Sequence, residues 1–179
     1  MAVRGVPRFA GRMGIAIAVR DAAAAAEFYR DAFGAEEVAR YLVEQHSPSV
    51  GPVKGVTVRI GEAVINVSTA NPRTTETMNK WGAKTPEMLA GFSTVMTLYV
   101  DDVEAALARA LRAGALQRGP VEDVATGDRA TIVEDPFGHP WALVVEKEQV
   151  SVEEHNRRWD AVVRPELRGR GPQLMLHST

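Results

Sequence analysis

Apolar and polar positions along this chain follow two periods, one of about two residues and one of about 3.6, and they recur in the same order twice. Residues 13–19 form an apolar run that closes just before Asp21. An aspartate at that point can cap a helix through its side-chain oxygen, and residues 22–33 have the make-up of one. Alanines at 22–26 favour the helix, while Phe28, Tyr29, Ala32 and Phe33 recur at helical spacing and predict the face laid on a sheet. Gly34 stops it. Residues 37–43 then turn extended, residues 53–60 set Val53, Val56, Val58 and Ile60 around polar or small positions, and residues 63–68 make a further strand. Gly61 and Glu62 supply the tight turn of a hairpin between the last two.

A polar stretch, residues 69–91, carries Pro72, Pro86 and several threonines and reads as a connection holding one short helix. The opening pattern then returns: an apolar strand over 94–100, Asp102 as cap, a helix over 103–113 with Leu107 and Leu111 inward, and Gly114 as stop. Strands over 116–124, 129–134 and 141–145 follow. Val19, Arg20 and Asp21 align with Val100, Asp101 and Asp102, and Gly34 with Gly114, so the chain contains an internal repeat of strand, helix and three strands. Ser151 followed by Glu154 is a capping box that opens a polar helix to about residue 163. The tail after Pro165 is rich in Gly, Arg and Pro, and is expected to be loosely held or to lie against a neighbouring subunit.

These elements predict an α+β class with one domain over 1–179. It comprises a first βαβββ module at 12–69, a connection at 70–92, a second module at 93–147, and a C-terminal helix and tail at 148–179. A sheet with a helix on one face needs cover on the other, and a second module opposite it would enclose a cleft, which is where a site is expected.

Composition narrows the partners. At 179 residues, with 45% hydrophobic and 25% charged positions, the chain has the balance of an ordinary globular protein. A net charge of −2 gives no positive field for a polyphosphate backbone, which argues against nucleic acid. The absence of cysteine rules out disulfides, thiol nucleophiles and thiolate metal sites. The basic segment 1–11 is followed by no apolar run of the kind a secretory signal needs, and nothing approaches the roughly 20 apolar residues of a membrane span. A cytoplasmic location is therefore expected.

Asp135, Pro136, Phe137, Gly138 and His139, preceded by Gly127, Asp128 and Arg129, resemble the signature of the vicinal oxygen chelate superfamily, which includes glyoxalases, extradiol dioxygenases and bleomycin resistance proteins. The run Val19 to Ala25, Phe28-Tyr29, Phe33 to Glu37 and Val150 to Glu154 resemble its PhnB-like branch in particular. The similarity spans about residues 13–158 and implies the glyoxalase/bleomycin resistance fold. It also implies pairing of subunits, in some members with exchanged modules, so a homodimer is expected. Read on its own chemistry, the 135–138 run is a turn in which Asp135 and Pro136 set the bend.

Enzymes of that superfamily hold a divalent ion with His and Glu side chains from four strands. Counting back from the capping aspartates places the corresponding positions at Gly14 and Val95. Counting from the turn places another at Ala142, and the repeat places its partner at Asn66. Only Asn66 has a donor. A shift of one or two residues brings in Met13, Thr94, Thr97, Trp141 and Ser68, again without a cluster of imidazoles and carboxylates. No metal and no other cofactor is expected. His46, His139, His155 and His177 fall in a loop, a turn, an exposed helix side and the tail; His139 alone is placed to approach a bound molecule.

The candidate ligand-binding residues are Asn66, Trp81, Tyr99, Arg129, His139 and Trp141. Tyr41 and Phe92 also fall on or beside cleft strands. Tyr99 and Trp141 are either stacking platforms or core. Trp81 is a lid or a subunit contact. Asn66 either orients a ligand carbonyl or hydroxyl or bonds to nearby backbone, and Arg129 either holds an anion or pairs with Asp128 or Asp135. The expected function is metal-independent binding of a small hydrophobic or aromatic molecule, as in antibiotic sequestration. The alternative is a metal-independent isomerase, cyclase or lyase using His139 with Asn66 or Arg129, and a third is a ligand-free structural dimer.

Overall fold

A computed structural model of the chain describes residues 14–42, 53–70 and 84–163. In chain order the elements are β1 (Gly14–Val19), α1 (Ala22–Phe33), β2 (Glu36–Leu42), β3 (Val53–Ile60), β4 (Ala63–Thr69) and α2 (Pro86–Leu89). They continue with β5 (Met96–Tyr99), α3 (Val103–Arg112), β6 (Leu116–Gln117), β7 (Glu122–Asp123), β8 (Asp128–Glu134), β9 (Pro140–Glu146) and α4 (Val152–Val163). The first sheet runs β1-β4-β3-β2 and the second β5-β9-β8-β6, with β7 also paired to β8. In both, the strand before the helix lies parallel to the last strand of its unit, while the other pairs are antiparallel. The repeat read from the sequence is thus a repeat of topology.

It is a repeat of capping as well. Asp21 and Asp102 both have φ of −148°, and each side chain accepts backbone N–H bonds from the first turn, Asp21 from Ala23 and Ala24 and Asp102 from Ala105. Gly34 ends α1 in the left-handed region at φ 70°, where a side chain would be strained.

Two expectations are corrected. The strand foreseen over 116–124 is broken into β6 and β7, because Pro120 has no N–H to give to a ladder and the Gly119 carbonyl is taken by the Gln117 and Thr131 side chains. Leu111 is exposed: the buried stripe of α3 is Val103, Ala106, Leu107 and Ala110, and residue 111 falls one step past it. The edge strand β2 carries register shifts on either side of residues 39–41.

The two helices pack on each other and on the inner faces of both sheets. Ala25, Ala26 and Ala32 of α1 and Ala106 and Ala110 of α3 lie in one shared core with Val56, Val58, Val67, Val133 and Leu143. Side chains this small let the helix backbones approach closely. The consequence for function is geometric, since the inner faces are consumed by this core and the opposite faces turn outward within a single chain. No helix among the described residues is long and apolar enough to cross a membrane.

Candidate functional site

The turn between β8 and β9 is the joint of the molecule. Asp135 is only 2% exposed and has four donors: the Tyr29 hydroxyl at 2.7 Å, the Trp141 indole N–H at 3.1 Å, and the backbone N–H groups of Phe137 and His139, both at 2.9 Å. A buried carboxylate needs such saturation, and here the donors come from both modules. Burial, together with the neighbouring carboxylate, pushes the Tyr29 phenol far above its ordinary pKa, so it stays a donor. Aromatic packing continues the joint, with the Trp141 ring 5.4 Å from Tyr29 and 4.6 Å from Phe33. His139 Nε2 lies 3.0 Å from the Ala18 carbonyl oxygen, which can only accept, so this nitrogen carries the proton and ties the turn to β1.

The outward faces are built from rows of facing residues. On the first sheet Ala16, Asn66 and Thr57 stand side by side across β1, β4 and β3, with Tyr41 beside Gly55 at the far edge. Thr57 donates its hydroxyl to Asn66 Oδ1 at 2.9 Å, which orients the amide so that Nδ2 sits over Gly14. On the second sheet the rows are Thr97, Ala142 and Ile132, then Tyr99, Val144 and Ala130, with Val95 at the start of β5. Tyr99 is 71% exposed, and Val95 and Ile132 are exposed with it. One face is therefore small and polar and the other apolar with a ring.

Asn66 and Tyr99 thus lie on outward faces, one on each sheet. Trp141 does not: β9 turns it to the inner side, 2% exposed, and its N–H is spent on Asp135, so it is core. Arg129 also faces the helix side. It bonds to Glu104 of α3 and Asp123 of β7, not to Asp128 or Asp135, and these hydrogen bonds hold both carboxyls below their usual range and raise the guanidinium. His139 sits at the junction of the modules, lining a small space of about 130 Å³ with Ala16, Ala18, Phe92, Thr94 and Met96. Trp81, His46 and His177 lie outside the described residues. The sequence reading missed Thr57 and Ile132; the signal was in the alternation of β3 and β8, whose odd and even positions belong to different faces.

At the four positions that the resemblance assigns to cation ligands stand Gly14, Asn66, Val95 and Ala142. Three have no donor atom, and the Asn66 oxygen is already bonded. Among the described residues no group of three or more His, Asp and Glu side chains converges. The side chains of Gly14, Val95 and Ala142 offer a cation no ligand atom.

Comparison with known proteins agrees with the topology. Residues 13–143 match the family model described as Glyoxalase/Bleomycin resistance protein/Dioxygenase superfamily. An uncharacterized protein of Mycobacterium tuberculosis is 35% identical over 138 residues, covering 77% of this chain and 76% of that protein. Among solved structures, TioX from Micromonospora sp. ML1 is 23% identical with a TM-score of 0.53, over 75% of this chain and 97% of that one. The fosfomycin resistance protein FosX from Listeria monocytogenes, in a complex with Mn(II) and sulfate, is 15% identical with a TM-score of 0.54, over 83% and 97%. Both likenesses are of fold.

Proposed function

The chain belongs to the glyoxalase/bleomycin resistance protein/dioxygenase superfamily, and from that premise we propose that it binds a small hydrophobic or aromatic molecule against the outward faces of its two sheets, without a metal ion, as a sequestering protein of resistance type. The observation that carries this is the pair of faces turned away from the helices: Tyr99, Val95 and Ile132 offer an exposed stacking and apolar wall, and the exposed Asn66, oriented by the buried Thr57, offers an amide donor to a ligand carbonyl or hydroxyl. The residues at 14, 66, 95 and 142 favour binding without a cation. His139 has its Nε2 and its backbone N–H both engaged, which favours binding over a metal-independent isomerase, cyclase or lyase.

Because both faces turn outward, a homodimer would set the polar face of one copy against the apolar face of the other and complete each site from two chains. The reading further puts the chain in the PhnB-like branch, in the cytoplasm, with no nucleic-acid partner. Thermal-shift screening against aromatic antibiotics and polyketide-like metabolites tests it, with light scattering for subunit number. Stabilisation by at least one ring-bearing compound, weakened in Tyr99→Ala and Asn66→Ala, is expected. A monomer that no compound in the panel stabilises would refute the proposal.

A further inference from the structure

Beside the joint lies a cavity of about 460 Å³ whose lining includes Arg20, Glu87, Phe92, Glu134, Pro136 and Phe137. Its size falls in the range of about 300–1,000 Å³ usual for small-molecule sites. Its floor is fixed, because Gly138, at φ +87°, lets Pro86 of α2 come so close that a Cβ at 138 would lie 2.9 Å from the proline ring.

The charges on this lining are unusual in what they leave over. Glu134 is held by Arg118 at 2.8 Å. Arg20 has no carboxylate partner among the described residues; its guanidinium lies 5.6 Å from the centroid of the Phe137 ring, a cation–π contact that holds the side chain in place without neutralising it. Glu87, one residue into α2, likewise has no ion-pair partner among the described residues. Opposite charges that line one cavity without pairing with each other can both be satisfied by one molecule that carries the complementary pair. The rings supply the rest: Phe92 is 58% exposed and Phe137 is half-buried on the same lining.

We propose that this cavity is a second binding site, for a small aromatic zwitterion of the amino-acid type, with its carboxylate on Arg20, its ammonium on Glu87 and its ring against Phe92 and Phe137. Bidentate pairing suits a guanidinium and a carboxylate, and a ring that covers Phe92 removes exposed apolar area from water. None of Asn66, Thr57, Tyr99, Val95 and Ile132 lines this cavity, and the proposal does not depend on the faces proposed above.

The test is an NMR titration of the full chain with L-phenylalanine, alongside phenylpropionate, which lacks the ammonium, and phenethylamine, which lacks the carboxylate. Saturable shifts are expected at the amides of Arg20, Glu87, Phe92 and Phe137. Each single-charge analogue, and each of Arg20→Gln and Glu87→Gln, should weaken binding about fivefold, the effect of one exposed ion pair. Both substitutions are at exposed positions, and far-UV circular dichroism checks that the variants fold. The proposal is overturned if no shift saturates up to the solubility of the amino acid. It is equally overturned if phenylpropionate binds as tightly as phenylalanine, if the variants bind unchanged, or if the shifts fall at Asn66, Thr97, Tyr99 and Ile132 instead.

Discussion

Tyr29→Phe is the most direct probe of how the modules hold together. The substitution keeps the ring among Phe28, Phe33 and Trp141 and removes only the hydroxyl that donates to Asp135 at 2.7 Å. Asp135 stays buried with three donors where it had four. A hydrogen bond to a charged group contributes about 1.5–3 kcal/mol, and no water replaces it at a carboxylate this enclosed. For a chain of this size the loss corresponds to a Tm lower by roughly 3–12 °C. Urea unfolding at neutral pH should show a lower midpoint at unchanged m, since the surface exposed on unfolding is the same.

The alkaline limb gives a second readout with a fixed sign. Burial raises the phenol pKa in the folded state, so the unfolded chain loses its proton first, near the ordinary tyrosine value of about 10. The contribution of Tyr29 is therefore complete below about pH 10 and declines above it, by up to about 1.4 kcal/mol per pH unit. The phenylalanine variant should lack that decline. A loss below about 0.5 kcal/mol at neutral pH, or parallel alkaline limbs, would show that the hydroxyl does not anchor the joint.

Gly34→Ala and Gly138→Ala both place a side chain at positive φ, but only at 138 does the new Cβ meet Pro86. The first should cost about 1 kcal/mol and the second about 3 kcal/mol or more in chemical denaturation; equal costs would mean that α2 does not rest on the turn. Arg129→Gln should let the Glu104 and Asp123 carboxyls, now held low by their hydrogen bonds to the guanidinium, rise toward ordinary values in a carboxyl NMR titration. Depressed carboxylates contribute stability above their unfolded pKa that is lost as pH falls, so the native protein should lose stability on acidification more steeply than the variant. Unshifted carboxyls would contradict the pairing.

The helices were legible because Asp21 and Asp102 are strong local caps and the alanine-rich and aromatic stripes repeat at helical spacing. Strands 53–60 and 63–68 were legible from alternation across a two-residue turn, the second running one residue further in the structure. What escaped depended on three dimensions. Leu111 looks inward on a helical wheel, yet the width of the buried stripe is set by the sheet below it. The break at Gly119 and Pro120 needed Thr131, twelve residues on, to claim the Gly119 carbonyl. Within the candidate site, Trp141 and Arg129 occupy odd positions of strands whose even positions face outward, and a shift of one residue exchanges the two faces. Asn66 stood out as a lone amide among apolar neighbours, while its partner Thr57 could be found only once β3 and β4 were in register.

The interruption between β6 and β7 has a bearing on whether strands of another chain can add to these sheets. Long unpaired strand margins invite further strands to add on and lead toward fibres. Here one margin is cut into two-residue pieces, β5 spans four residues, β2 is irregular in register, and on β1 the Ala18 carbonyl is already taken by His139. Each of these four margins among the described residues is short, irregular or partly occupied, which disfavours open-ended addition of further strands.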